Sequence, residues 1–271
     1  MIGAIIGDVV GSVYEFDNIK TKNFVPFAGH HGNACTFTDD SVMTLAVALA
    51  LLGADGNWDL LPAYADRAMH ELGRRYPDRG YGERFGMWLF LDGHEPYNSY
   101  GNGAAMRVSP VAYAAKDLDE VRLLSKLVTE VTHNHPEGIK GAEATAVCTW
   151  MALHGSSKSE IEQLVSAKYY DLGFTLDEIR PTYEFNETCQ GTVPQAIKAF
   201  LEAADFEDAI KNAVSLGGDS DTLAAITGAI AGAYYEIPGA MREKTVQLLG
   251  SSLTAILDRF SAAFGLQRIE P

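Results

Sequence analysis

Two short acidic segments carry the residue types best suited to metal chemistry. Residues 38–41 read Thr-Asp-Asp-Ser, and residues 219–222 read Asp-Ser-Asp-Thr, so each segment offers two carboxylates and a threonine hydroxyl. These hard oxygen ligands suit Mg²⁺ or Mn²⁺ and are unsuited to zinc. If the segments meet in the fold, their four carboxylates repel one another unless cations lie among them. A pair of ions a few ångströms apart is one known solution.

Each acidic segment directly precedes an apolar, helix-like pattern, so each is predicted to begin a helix. Ser, Thr and Asp cap helices, and first-turn carboxylates suit the helix dipole, so capping explains either segment taken alone. On a regular helix Asp219 and Asp221 would point about 200° apart. They can converge only if the chain is still turning into the helix, which Gly217 and Gly218 permit.

Two further acids lie near the N-terminus. Asp8 interrupts an apolar run, and we expect it to be buried and partnered. Asp8 and Glu15 are seven positions apart, so they would lie near one face of a helix that continues through both. A solvated helix end is the alternative for Glu15.

A loop rich in glycine and asparagine, residues 98–103, runs into a helical pattern. Its backbone N–H groups could cradle a phosphate, helped by the partial positive charge of a helix N-terminus. An ordinary Gly/Asn turn is the alternative, and the loop is no P-loop because no GKS or GKT follows. His133 and His135 lie between two helical patterns. They are either structural residues or contacts to a ribose or phosphate.

Helical periodicity prevails almost throughout the chain, which predicts an all-α fold. We expect a single domain over residues 1–271, with non-helical segments at 17–37, 92–103 and 168–191. Segments 2–14 and 222–235 are apolar on most sides, as is typical of central helices.

Glycines recur every four residues in both predicted central helices, at positions 3, 7 and 11 and at positions 228 and 232. A glycine costs about 1 kcal/mol relative to alanine inside a helix. A row of them predicts that another backbone or a ligand comes close, with tight helix packing as the simpler interpretation.

The composition excludes several classes of protein. With 36 acidic and 21 basic residues the net charge is −15, which disfavours a general nucleic-acid binder or a polybasic membrane-surface protein. A hydrophobic fraction of 47% excludes disorder. The longest apolar stretch, 223–235, is shorter than the ~20 residues that span a bilayer. Three cysteines without a CxxC motif indicate a reducing compartment. We therefore expect a soluble, monomeric, cytoplasmic protein.

Six short motifs, taken in order, resemble those of the ADP-ribosylglycohydrolases, the superfamily of dinitrogenase reductase-activating glycohydrolase and the ADP-ribosyl-acceptor hydrolases. Each motif is weak alone, but the six in this order are specific and cover most of the chain. They occupy residues 7–15, 37–41, 101–107, 132–136, 189–194 and 217–222.

The resemblance implies a compact, orthogonal multi-helix domain with two divalent cations, Mg²⁺ or Mn²⁺. The implied metal ligands are Thr38, Asp39, Asp40, Asp219, Asp221 and Thr222. The implied substrate contacts are Ser99, Tyr100, Gly101, Asn102, Gly103 and His133. Glu15 matches a glutamate that gates access or assists proton transfer. The candidate catalytic carboxylates are Glu15, Asp39, Asp40 and Asp219.

The implied reaction is hydrolysis of the glycosidic bond between ADP-ribose and an acceptor, through an oxocarbenium-like transition state. The acceptor is an ADP-ribosylated protein or a small ADP-ribosyl conjugate. Segments 17–37 and 156–187 are expected to shape the acceptor side, and arginine, serine and O-acetyl acceptors all stay open. The main alternative is a non-catalytic ADP-ribose-binding relative.

Two further alternatives are weaker. An all-α, Mg²⁺-dependent prenyl-diphosphate enzyme also uses paired aspartates, but the segment after Asp39 and Asp40 lacks the further aspartate of a DDxxD motif. A phosphatase with a DxDxT nucleophile needs an apolar strand before that motif, whereas a helical pattern precedes Asp219.

Overall fold

The computed structural model describes residues 1–91 and 95–265, and these residues form helices joined by loops, with isolated β-bridges only. The longer helices are α1 (Ile2–Gly11), α2 (Asp39–Ala54), α3 (Leu61–Arg75), α4 (Glu83–Phe90), α7 (Leu118–Thr129), α8 (Pro136–Leu153), α9 (Lys158–Lys168), α11 (Cys189–Leu201), α12 (Phe206–Val214), α13 (Ser220–Tyr234) and α14 (Gly239–Ala263). The four-residue helices are α5 (Gly103–Met106), α6 (Val111–Ala114) and α10 (Leu176–Ile179). The predicted all-α class is confirmed.

Helices α1 and α13 pack along each other at the centre, and the predicted glycine rows form their interface. A Cβ atom at Gly3 would lie 2.1 Å from the carbonyl oxygen of Gly228, and one at Gly7 would lie 1.9 Å from that of Ala224. Gly11 meets the first turn of α13 in the same way. The close approach that the glycines predicted is therefore that of another helix, as the simpler interpretation held.

The predicted helix over residues 2–14 is too long, because α1 ends at Gly11. Tyr14 donates its backbone N–H to the Gly11 carbonyl in a tight turn, and the Asn18 amide takes up the carbonyls of Tyr14 and Glu15. Glu15 therefore lies on the segment after α1. The expectation that it shares a helix face with Asp8 is wrong.

Several further helices pack around α13 and bury it. Helices α8, α11 and α12 pack against it, and α2 and α3 pack side by side with α14 against α2. Every residue of α13 from Ser220 to Ala231 is buried. The prediction of a central helix, apolar on most sides, is confirmed, although it begins and ends slightly earlier than expected.

The non-helical segments are partly as predicted. Segment 17–37 forms no helix, and residues 95–102 form none either, while residues 92–94 lie outside the described part. Segment 168–191 differs, since it contains α10 and the start of α11. Thr175 and Glu178 form a capping box that begins α10, a short signal within an otherwise irregular stretch. Across residues 1–91 and 95–265, no helix combines the length and apolarity needed to cross a membrane.

Candidate active site

The first turns of α2 and α13 meet the segment after α1 in one cleft of about 360 Å³. Seven acidic residues line this cleft, Glu83 and Glu187 among them. The other five, which we call the cleft carboxylates, are Glu15, Asp39, Asp40, Asp219 and Asp221. Thr222 Oγ1 donates to Asp40 Oδ2 at 3.2 Å, which ties the two helix starts together. The two acidic segments, far apart in the chain, are thus neighbours in the fold.

The turn into α13 brings Asp219 and Asp221 together. Gly217 and Gly218 both have positive φ, 68° and 72°, a conformation that other residues rarely adopt. Asp219 then occupies the N-cap position without making a side-chain capping bond. Its carboxylate instead accepts a hydrogen bond from Asn102 Nδ2 at 2.7 Å. Capping therefore does not explain Asp219, and the side chain is held toward the cleft.

Thr38 behaves differently, because its hydroxyl does cap α2 by accepting from the Asp40 N–H. The same hydroxyl donates to Asp8 Oδ1 at 2.7 Å. Asp8 is fully buried and also accepts from the backbone and hydroxyl of Ser41. Asp8 is thus the buried, partnered residue that was expected, and it fixes the start of α2 beneath the cleft.

The cleft carboxylates strongly disfavour ionising together. Burial, followed by the charge of neighbouring acids, raises the pKa of Asp39, Asp40 and Asp221 well above its usual range. The same causes raise the pKa of Glu15 to about 7. Such a cluster of negative charge in a dry environment calls for positive charge to offset it.

The cluster has the chemistry that a hard cation requires. Asp40 Oδ1 is buried without a hydrogen-bond partner. Among residues 1–91 and 95–265, no lysine, arginine or histidine forms an ion pair with the five cleft carboxylates. One ligand atom each of Glu15, Asp219 and Asp221 lies within 4.8 Å of the others. Oxygen donors without a protein cation fit Mg²⁺ or Mn²⁺.

The position of Glu15 within this group was not predicted from the sequence. The resemblance implied a gating or proton-transfer glutamate, whereas the structure sets Glu15 directly beside Asp219 and Asp221. Thr38 donates its hydroxyl proton to Asp8 and accepts the Asp40 N–H, which leaves one lone pair of its oxygen for an ion.

The glycine-asparagine loop lines the cleft, but two of its N–H groups are used within the protein. The Gly101 N–H donates to Ser99 Oγ, and the Asn102 N–H donates to the Glu187 carbonyl at 2.7 Å. A phosphate cradle would therefore draw on other donors. Tyr100 lies at the edge, partly exposed, with its ring centroid 5.2 Å from that of His135.

His133 is held in one tautomer by two partners. Arg107 Nη2 donates to Thr132 Oγ1 at 2.6 Å, and Thr132 Oγ1 lies 2.7 Å from His133 Nδ1. Arg107 Nη2, which can only donate, also lies 3.4 Å from His133 Nδ1. Both neighbours therefore favour Nδ1 as an acceptor, which assigns the imidazole proton to Nε2. Burial, with the nearby Arg107 charge adding to it, lowers the pKa of His133 well below its usual range. His133 thus presents a neutral N–H donor beside Gly101 and Gly103.

Sequence reasoning missed several residues of the cleft. Arg107 is only 1% exposed and packs its guanidinium over the Phe85 ring. In the sequence, Arg107 shows as a single basic residue between the glycine-asparagine loop and an apolar stretch. Phe185 lines the cleft, and its ring stacks on that of Phe16, with centroids 6.0 Å apart. No local pattern marks such a pair, because its members are far apart in sequence.

Fold and site together define an all-α protein whose helix N-termini gather carboxylates suited to divalent cations. A sequence model of the ADP-ribosylglycohydrolase family matches residues 1–270. The chain belongs to this family, and it is a hydrolase. Members of the family use a metal, and the carboxylate cluster supplies residues that could bind one.

Relatives of known identity support this assignment. The chain is 30% identical to "ADP-ribosylhydrolase ARH3" of Bos taurus, with 87% of this chain and 83% of that protein covered. It is 26% identical to "ADP-ribosylarginine hydrolase Tri1" of Pseudomonas putida, covering 88% and 70%. A solved structure titled "ADP-ribosylglycohydrolase-related protein complex" matches with a TM-score of 0.68 and 26% identity, covering 96% of this chain and 95% of that one.

Proposed function

We propose that this hydrolase cleaves the glycosidic bond between ADP-ribose and an acceptor in a metal-dependent reaction that releases ADP-ribose. The observation that carries the proposal is the cluster of buried and half-buried cleft carboxylates, in which Asp40 Oδ1 has no partner. A cluster of this kind suits cations, and the family to which the chain belongs indicates that the bond cleaved is the glycosidic bond of ADP-ribose.

The proposed metal site holds two divalent cations, Mg²⁺ or Mn²⁺. The proposed ligands are Thr38, Asp39, Asp40, Asp219, Asp221 and Thr222. Bound there, such cations supply Lewis acidity and offset the negative charge of the cluster. The chain positions these ligands through Asn102, which holds Asp219, and through Thr222, which holds Asp40.

The substrate is oriented by the opposite part of the cleft. We assign the substrate contacts to Ser99, Tyr100, Gly101, Asn102, Gly103 and His133. The Nε2–H of His133 is a fixed donor, and a neutral donor suits an anionic diphosphate in a protein of net charge −15. Arg107 supports it from behind, because its guanidinium orders Thr132 and thereby the imidazole.

Proton transfer is assigned to Glu15 on grounds of position. Glu15 is only partly buried and lies on a loop at the mouth of the cleft. Asp40 and Asp221 lie deeper, and Asp40 and Asp219 accept hydrogen bonds from neighbours that fix them. A carboxylate at the mouth can reach the leaving group or a water, as general acid–base catalysis requires. Asp39, Asp40 and Asp219 then serve the reaction as ligands.

The acceptor would lie on the side of Glu15. There the Phe16 ring, 85% exposed, stacks on the Phe185 ring. Phe185 belongs to segment 156–187, which was expected to shape the acceptor side, and Phe16 directly precedes segment 17–37. An exposed aromatic pair beside the reacting bond offers a flat apolar surface to the group that carries ADP-ribose. Both an ADP-ribosylated protein and a small ADP-ribosyl conjugate fit this arrangement.

We further propose a monomeric, cytoplasmic protein that forms one domain over residues 1–271. Helices α1 and α13, distant in sequence, share one interface, which supports a single domain. The three cysteines are free and buried, which suits a reducing compartment.

The test is a substrate panel. The protein is incubated with ADP-ribosylated arginine, ADP-ribosylated serine and O-acetyl-ADP-ribose, with Mg²⁺ or Mn²⁺ and with excess EDTA, and free ADP-ribose is followed. Release from at least one substrate that EDTA abolishes and added metal restores supports the proposal. Binding of ADP-ribose without any release would instead identify a non-catalytic reader.

A further inference from the structure

A second group of metal-binding side chains lies outside the carboxylate cluster. Asp17, His30 and His31 each offer one ligand atom, and the three atoms lie within 4.8 Å of one another. His31 Nδ1 is 2.5 Å from Asp17 Oδ2, and His30 Nε2 is 3.4 Å from the same oxygen. Both imidazoles therefore converge on one carboxylate.

A tight turn brings the two neighbouring histidines onto one side. His30 and Asn33 exchange backbone hydrogen bonds of 2.9 and 2.8 Å, which closes the turn. His31 has φ of 46° and Gly32 has φ of 88°, so the chain reverses within two residues. For a histidine this is an uncommon conformation. It stacks the two rings with centroids 4.0 Å apart and aims both toward Asp17.

We propose that Asp17, His30 and His31 bind one transition-metal ion of the Zn²⁺ class. Two imidazole nitrogens and one carboxylate oxygen are a recurrent zinc donor set, and three protein ligands leave a fourth position for water. The side chains of His31 and Asp17 are 71% and 45% exposed, so the ion and its water have a route in. The oxygen-only cleft and this His-His-Asp group thus select different ions.

The bound ion would tie the loop at residues 30–33 to the segment after α1. Asp17 lies two residues after Glu15, and the Tyr14 ring is 4.8 Å from the His30 ring. Asn18 already anchors this segment to Gly218, through bonds of 2.9 and 2.7 Å. The ion adds a second anchor and holds Glu15 at the cleft. This last consequence rests on the proposed function, whereas zinc binding itself does not.

The test uses the full chain, stripped of metal with a chelator and returned to millimolar Mg²⁺ so that the oxygen-only cleft is supplied. Zn²⁺ is then titrated calorimetrically. We expect one Zn²⁺ per chain. In His31→Ala and in Asp17→Asn the zinc affinity should fall more than about tenfold, the scale on which even supporting residues of metal sites act. His154→Ala is the control, since His154 is exposed directly after α8, beside Trp150.

X-ray absorption at the zinc edge gives a readout independent of any variant. Two imidazoles at about 2.0–2.1 Å are expected in the wild-type protein. Absence of imidazole ligands, or equal zinc affinity in His31→Ala and the wild type, would overturn the proposal. Asp219→Asn separates it from the proposed function, because that variant should lose ADP-ribose release and keep its zinc.

Discussion

Thr38 and Asp219 show how one residue pattern can serve two purposes. Both lie at helix N-termini, and both motifs satisfy the rules for capping. Thr38 does cap its helix, while the Asp219 carboxylate makes no capping bond and is held by Asn102. The sequence shows which groups begin a helix. Which of them is free for a ligand depends on a partner more than a hundred positions away.

Asn102→Ala should weaken metal binding in the absence of substrate. The Asn102 amide nitrogen donates to Asp219 Oδ2 and to Thr192 Oγ1, so its loss leaves the Asp219 carboxylate free to rotate. Removing a group that orients a ligand commonly costs 10–100-fold in metal affinity. Calorimetric titration with Mn²⁺ measures it, with Asn23→Ala on the exposed surface as control. Unchanged Mn²⁺ affinity would show that Asn102 does not position Asp219.

His133 should remain neutral at pH values where an unperturbed histidine is protonated. Its pKa is lowered in the folded protein, so below about pH 6.5 the unfolded chain binds a proton that the folded chain does not. The stabilisation is therefore fully present above that pH. It is lost as pH falls, by up to about 1.4 kcal/mol for each pH unit.

Urea unfolding of the wild type and His133→Gln at pH 7.5 and pH 5.5 measures this effect. Glutamine keeps an N–H donor and does not titrate, so the stability difference between the two proteins should shift toward the variant at the lower pH. A difference that is the same at both pH values would contradict a neutral His133.

Among the helices, the close contact between α1 and α13 depends on the absence of side chains at the glycines of their interface. Gly7→Ala would place a Cβ atom 1.9 Å from the Ala224 carbonyl oxygen, and helix backbone cannot yield locally. We expect a loss of about 3 kcal/mol in the free energy of unfolding, the upper part of the range for overpacking. Gly239→Ala at the start of α14 has open space around its Cβ and should stay within about 0.5 kcal/mol. Urea denaturation of both variants decides the matter.

Helix existence was predictable from the sequence, and helix ends were less so. The apolar patterns that follow residue 41 and fill segments 2–14 and 222–235 predicted α2, α1 and α13. The end of α1 was misplaced, because Ser12 Oγ takes up the Val9 carbonyl and the Tyr14 N–H turns to the Gly11 carbonyl instead of that of Val10. That competition is between a side chain and the backbone, and apolar periodicity does not register it.

In the whole molecule, part of the net charge of −15 is concentrated in the cleft, where carboxylates from three regions of the chain meet. Their convergence was predictable from motifs in order, whereas the Arg107 support of His133 and the stacking of Phe16 on Phe185 were not. Those contacts join residues whose local sequences carry no mark of each other.

Divalent cations should stabilise the folded protein through this cleft. A ligand at 100 times its dissociation constant adds about 2.7 kcal/mol when it binds only the folded state. We therefore expect Mn²⁺ or Mg²⁺ to raise the melting temperature of the wild type in calorimetry, and NaCl at equal ionic strength to have a smaller effect. The same rise in Asp40→Asn as in the wild type would place the stabilising ions elsewhere.

Hydrolysis should depend on cations held by the cleft carboxylates. The decisive measurement is ADP-ribose release as a function of Mg²⁺ and Mn²⁺ concentration. The wild type is compared with Asp40→Asn, Asp219→Asn and the exposed control Glu184→Gln. We expect metal-dependent release by the wild type and by Glu184→Gln, with a loss of at least about a hundredfold in both aspartate variants while each stays folded. Full activity of the aspartate variants, or of the wild type in excess EDTA, would contradict it.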